Sequence, residues 1–245
     1  TNEVSKRLET FLDAYNNPQN VNGVWISGFF GSGKSHLLKM LALLLENREL
    51  DGEDVLSLFL PKCGDNEMLR ADLKKAVDIP SQSVLFNIDQ KADVISKGEF
   101  DAVLAVFMKV FNEMRGYYGK LGHIAKFERD LDHKEHLGTF KKTFEESAGV
   151  SWEEGRELAE LYADDVAQAF AKATGSPTES ASGVIDKYRQ DYRVSIEDFA
   201  LEVKQYIDAQ EPDFRLNFFV DEVGQYVGDS VKLMTNLQTI AESLA

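Results

Sequence analysis

Apolar positions along the chain fall into blocks with two different periods. Residues 3–15 place Val4, Leu8, Phe11, Leu12 and Tyr15 on one helical face, and the polar stretch Asn16 to Gly23, with Pro18, ends that run. This pattern predicts a docking helix. Val24, Trp25, Ile26 and Ser27 then form a short apolar run suited to a buried strand, and the leucine-rich stretch Leu37 to Leu45 suits a buried helix. Residues 49–82 are mixed, with a turn at Cys63-Gly64-Asp65-Asn66 and a short helix over Met68 to Val77. Ser83 to Ile88 (SVLFNI) is the clearest second strand, and Leu216 to Val220 (LNFFV) is another strand-like run.

Between residues 94 and 212 strand signal is scarce and helical signal is frequent. Phe100 to Tyr118, with its core VLAVFMKVF, predicts a core helix, whereas Lys126 to Glu146 mixes acids and bases on all sides and predicts a solvated one. Ser151-Trp152-Glu153-Glu154 reads as a capping box, followed at helical spacing by Leu158, Leu161, Tyr162, Val166 and Phe170. Ser195-Ile196-Glu197-Asp198 reads as another cap, opening a helix with Phe199, Val203, Tyr206 and Ile207 on one face. Gly175 to Gly183 (GSPTESASG) is the best internal linker. A crossover between neighbouring strands needs one helix, so the span predicts a helical insertion of roughly four or five.

Candidate chemistry centres on Gly28 to Ser35, GFFGSGKS, which matches the phosphate-binding pattern G-x-x-x-x-G-K-[ST] and lies between a predicted strand and a predicted helix. A nucleoside triphosphate carries several negative charges. Backbone N–H groups at the first turn of a helix, aided by its dipole, can hold them. Gly28, Gly31 and Gly33 let the backbone approach closely. Lys34 is expected to reach the outer phosphates, and the Ser35 hydroxyl to bind the bridging Mg²⁺. The expected ATP contacts run through Gly28, Phe29, Phe30, Gly31, Ser32, Gly33, Lys34, Ser35 and His36, with the two phenylalanines as packing or shielding groups.

The run LNFFV ends in Asp221-Glu222, the arrangement of a Walker B strand. Ligands and catalytic groups collect at the carboxyl end of a buried parallel strand. Asp221 is expected to hold Mg²⁺ directly or through water, and Glu222 to act as general base on the attacking water. Asp221-Glu222-Val223-Gly224 also matches the D-x-x-G switch of GTPases, but it lies far beyond the spacing of small GTPases, and no guanine-reading N-K-x-D follows. An ATPase is the better reading. Asp89-Gln90-Lys91-Ala92-Asp93, after the SVLFNI strand, projects toward the same ligand edge, where Asp89 or Lys91 could act.

Composition narrows the class. At 245 residues the chain can bury one good core, or a core plus a smaller lobe. A single cysteine, Cys63, excludes an internal disulfide framework and fits a reducing cytosol. The longest apolar stretch contains Lys39 and is too short to span a bilayer, and no signal segment precedes it. A formal charge of −15 repels phosphate backbones, so any DNA contact is expected to be local or elsewhere. His133 and His136 stand among charged residues on a helix and carry little metal signal, and Cys63 has no histidine partner nearby in sequence.

The predicted fold class is α/β, a P-loop NTPase of the AAA-like, additional-strand kind, with a parallel sheet core and a large helical insertion. Residues 1–93 hold the N-terminal helix and first part of the ATPase core, 94–212 the insertion, and 213–245 the Walker B strand and its following helix. In such ATPases a further strand inserts between the Walker B and loop strands. The segments Lys232-Leu233-Met234 and Asn236 to Ile240 read as helix instead, so the core is expected to be incomplete, with a parent continuing past Ala245 and a natural start upstream of Thr1.

The strings VWISGFFGSGKSHLLKML, FNIDQKAD, RLNFFVDEVGQYVGD and LMTNLQTIAESLA resemble the amino-terminal region of the P-loop ATPases of BREX bacteriophage-defence systems, the BrxC (PglY-like) family. The likeness spans most of the chain, and FNIDQKAD and DEVGQY are its more specific parts. What the resemblance implies is a cytoplasmic bacterial ATPase that works with a methyltransferase and other BREX components against phage DNA. Lys34, Ser35, Asp221 and Glu222 match the family's Walker motifs. The full parent is expected to need an arginine from a neighbouring subunit, hence a homo-oligomer. Two other classes stay open: an ATP-dependent assembly switch with little hydrolysis, and a phosphotransferase, which the adjacent Asp-Glu disfavours.

Overall fold

The computed structural model describes residues 2–18, 23–29, 31–92 and 102–244, with side chains from residue 5 onward. In chain order the elements are α1 (Asn2–Asn16), α2 (Lys34–Leu45), β1 (Glu49–Leu50), β2 (Glu53–Asp54), α3 (Val55–Phe59), α4 (Glu67–Val77), β3 (Ser81–Asn87) and α5 (Ile88–Ala92). There follow α6 (Ala102–Met114), α7 (Gly122–Asp132), α8 (Leu137–Ala148), α9 (Trp152–Gly155), α10 (Ala163–Thr174), α11 (Thr178–Ala181) and α12 (Val184–Asp191). The last are α13 (Ile196–Asp208), β4 (Arg215–Asp221), α14 (Val223–Val227) and α15 (Val231–Ser243). By contacts the chain divides into a unit of residues 1–104 with 195–245 and a unit of residues 105–194.

The first unit is α/β, a small parallel sheet with helices around it. Strands β3 and β4 pair in parallel from Ser81 opposite Arg215 to Asn87 opposite Asp221. Side chains alternate across a strand, so partners in register share a face. On one face the Ser81 and Ser83 hydroxyls donate to the carbonyls of Leu45 and Ala42 at 2.8 and 3.1 Å. Phe219 is buried there among the α2 leucines. On the other face the Tyr206 hydroxyl of α13 donates to Gln82 at 2.6 Å, and Phe199 packs edge-on against Phe218 with ring centres 6.3 Å apart.

Helix α1 completes the α2 layer. Leu12 is fully buried with Leu69, Leu73 and Ala76 of α4, and Leu8, Phe11 and Tyr15 pack beside it, as the helical spacing predicts. The Arg215 guanidinium lies over the Tyr15 ring, 4.7 Å from its centre, and donates to the Tyr15 carbonyl, which ties α1 to β4. Helix α4 starts on Asn66, whose side chain accepts from the Leu69 N–H at 3.1 Å. Cys63 ends the short turn before it. Its thiol faces the Phe59 carbonyl at 3.8 Å, and burial pushes its pKa up, the behaviour of a structural thiol.

The second unit is helical and built on aromatic rings. Phe127 meets Phe140 and Tyr188 edge-on at 5.1 and 5.3 Å, and fully buried Trp152 meets Phe140 and Phe144 the same way at 4.9 and 5.1 Å. At its centre the buried Glu128 accepts from the Tyr118 N–H at 2.6 Å, from the Trp152 indole at 2.7 Å and from Arg156 at 3.1 Å. Three donors, one of them charged, compensate for removing that carboxylate from water.

Several expectations need correction. Val24 to Ser27 forms no strand, and Val24 and Trp25 are 54% and 58% exposed. An apolar run becomes a strand only when a neighbour supplies its ladder, and here β3 pairs with β4. The span Lys126 to Glu146 is not a solvated helix but α7 and α8, with Phe127, Glu128, Arg129, Phe140 and Phe144 buried. Local satisfaction of two charges outweighs their composition. The Ser151 capping box forms, yet α9 closes after one turn, and Leu158 and Leu161 are exposed before α10 begins. The 175–183 linker holds α11 and the fully buried Ala181. Ile88 opens α5 rather than ending β3, and the helices after residue 101 outnumber the expected four or five. Within the 94–212 span, α13 groups with the sheet.

Candidate functional site

The loop between Gly28 and Ser35 is set by its glycines. Gly31 and Gly33 adopt φ of 76° and 86°, left-handed values that cost other residues energy, and Gly33 delivers the chain into α2. The Ser32 N–H donates back to the Phe29 carbonyl at 3.2 Å, closing the turn. A Cβ at Gly28 would lie 2.9 Å from the Ser32 hydroxyl, which would have to rotate away. Helix α2 begins with no side-chain cap and no acid in its first turn. Among the described residues no side chain caps its first N–H groups, which lie at the positive end of the helix dipole on an exposed first turn.

Lys34 opens α2 and folds back over the loop, its ammonium donating to the carbonyls of Gly28 and Phe29 at 2.9 and 3.0 Å. Ser35 and His36 are exposed on the first turn, and Phe29 is 92% exposed. Phe30 lies outside the described residues.

The direction of α2 on the sheet sets this loop toward the sheet end that carries the acids. Moving from Ser81 to Ser83 along β3 moves the contact from Leu45 back to Ala42 on α2, so helix and strand run in opposite directions. Lys34 lies roughly 16 Å up the helix from Leu45 at about 1.5 Å per residue. Asn87 lies about 20 Å up the strand from Ser81. The start of α2 therefore lies toward the carboxyl ends of β3 and β4. Asn87 and Asp221 alternate with Ser81, Ser83 and Phe219 and so belong to the face that α2 covers.

At that edge the chain turns sharply after each strand. The Asn87 side chain accepts from the Gln90 N–H at 3.0 Å and starts α5. Asp221 accepts from the Glu222 N–H at 2.9 Å, while Glu222 adopts φ 59° and ψ 25° and starts α14. Asp89 and Gln225 then meet across the two turns, Oδ2 to Nε2 at 3.5 Å. Asp93, the end of the polar turn after β3, lies outside the described residues. Gln225 escaped the sequence reading because a glutamine three positions past an acid carries no motif of its own.

Elsewhere His133 caps the end of α7 and His136 the start of α8, so they do not share a helix face. Among the described residues no group of three or more His, Cys, Asp or Glu could hold a metal ion, and no helix is long and apolar enough to cross a membrane. No protein-family model matches the chain, and no solved structure matches it significantly.

Proposed function

We propose that this chain binds Mg-ATP and forms part of a P-loop ATPase with an additional-strand, AAA-like sheet. The observation that carries this is the outward-facing, uncapped start of α2, entered through left-handed Gly31 and Gly33, lying toward the same sheet edge as Asp221 and Glu222.

The residues present fit the nucleotide. The first-turn amides of α2 and Lys34 would hold the outer phosphates, and the Lys34 contacts to two loop carbonyls keep its cation over the loop. Ser35 and Asp221 offer the hard oxygen ligands that suit Mg²⁺, which, when bound, neutralises charge on the phosphates. Glu222 would orient and deprotonate water at the phosphoryl group. The wider setting rests on the resemblance to BrxC-like proteins: a cytoplasmic bacterial BREX defence ATPase, homo-oligomeric, acting with a methyltransferase and other components. An assembly-switch reading with little turnover draws support from one feature: Val24 to Ser27 forms no strand, and among the described residues the parallel sheet has two strands.

Thermal unfolding against Mg-ATP, Mg-GTP and no nucleotide tests the proposal, with Lys34→Ala as control. Ligand at about 100 times its dissociation constant should add roughly 2.7 kcal/mol. ATP-selective stabilisation lost in the variant supports it. Equal curves for both proteins under all conditions would remove it.

A further inference from the structure

We infer that Asp89 and Gln225 form a clamp that positions Glu222, an inference that rests on the ATPase reading above. Glu222 sits in a conformation that side chains rarely adopt, with φ of 59°. Such a backbone persists only when its surroundings over-determine it. On one side its N–H is held by the Asp221 carboxylate. On the other it leads straight into α14, whose first turn closes from the Tyr226 N–H to the Glu222 carbonyl at 3.1 Å. Where α14 lies thus decides where the Glu222 side chain can point.

Helix α14 has only five residues, too few to hold itself. Tyr226 and Val227 are buried on its inner side, and Gln225 reaches Asp89 on α5. Asp89 is itself placed by the strand that pairs with β4: Asn87, the register partner of Asp221, caps the turn through the Gln90 N–H. The chain of support runs from the β3 end, through Asp89 and Gln225, to the turn that carries Glu222. Asp89 is a positioning residue, not a catalytic one.

The pair can be tested by exchanging its roles in this chain. Gln225→Glu sets two carboxylates against each other, whereas Asp89→Asn with Gln225→Glu restores a donor and an acceptor in reversed order. Hydrogen exchange of the residue 223–227 amides reads the clamp without nucleotide. We expect exchange to quicken about 5-fold or more in Asp89→Ala and Gln225→Glu, and to return toward wild type in the double variant. In the full-length ATPase with Mg-ATP, turnover should fall roughly 10-fold or more in the single variants while the dissociation constant moves less than about 3-fold.

Unchanged exchange in both single variants, or no recovery in the double variant, overturns the clamp. Quickened exchange with wild-type turnover overturns its role in positioning Glu222. If wild type and Lys34→Ala both fail to bind Mg-ATP, the ATPase reading falls and the positioning role with it, while the exchange data separately decide whether the clamp exists.

Discussion

The Ser83 hydroxyl donates to the Ala42 carbonyl at 3.1 Å, and with the Ser81 bond to Leu45 this fixes which way α2 runs along the sheet. Reversing the helix would carry the glycine loop away from Asp221. Ser83→Ala should cost about 1 kcal/mol in denaturant unfolding, and Ser81→Ala with Ser83→Ala roughly twice that. An unchanged midpoint in the double variant would mean that packing alone sets the direction.

The loop has little room at Gly28. Gly28→Ala puts its Cβ 2.9 Å from the Ser32 hydroxyl, so that hydroxyl must swing to another rotamer within the loop. Nucleotide-dependent stabilisation is expected to weaken about threefold in dissociation constant, because the displaced hydroxyl lies in the loop proposed to hold phosphate. Gly28→Ala with Ser32→Gly should regain part of it, read by the same thermal shift.

Glu222 carries backbone strain that glycine would not. Glu222→Gly should raise stability by about 1 kcal/mol, the usual cost of the left-handed region, while abolishing the proposed turnover. Denaturant melts paired with phosphate release check both halves. Loss of stability in this variant would show that contacts of the side chain outweigh its strain.

Glu128→Ala strips the buried centre of the helical unit. The Arg156 charge and the Trp152 indole lose their acceptor, and a cost of about 3–5 kcal/mol is expected, enough to unfold the unit at moderate temperature. Near-ultraviolet circular dichroism follows the packing of Trp152, with Trp25→Phe removing the signal of the other tryptophan.

His123 makes the same unit sensitive to acid. Burial, followed by the nearby Arg189 charge, holds its imidazole below the ordinary range, Glu160 acts in the opposite sense, and Nε2 is buried with no hydrogen-bond partner among the described residues. The unfolded chain regains an ordinary pKa of about 6.5 and takes a proton first as pH falls, so stability drops below that value. The melting temperature of His123→Gln should fall less than that of wild type between about pH 7.5 and about pH 5.5.

Much of this was legible where one local rule suffices. The α1 stripe, the Ser151 and Ser195 caps and the strand ending in Asp221 all formed, because periodicity and capping act within a few residues. Val24 to Ser27 did not, since a strand depends on a partner that its own residues do not encode. The charged stretch 126–146 misled for a related reason: Glu128 is stabilised inside by Tyr118, Trp152 and Arg156, groups distant enough in sequence to leave no periodic trace. Gln225 was hidden in the same way, its meaning supplied by Asp89 across the sheet edge.

Strand β3 waits a long time for its partner. A ribosome releases Ser81 to Asn87 well before Arg215 to Asp221, and the intervening residues 105–194 form a unit of their own. Collapse of a segment near 100 residues shrinks its radius of gyration from about 30 Å to about 13 Å, which shortens the loop that the two strands must close. The helical unit should therefore speed assembly of the parallel pair. A destabilising change there, such as loss of Glu128, would surface first as slow refolding of a sheet it is not part of.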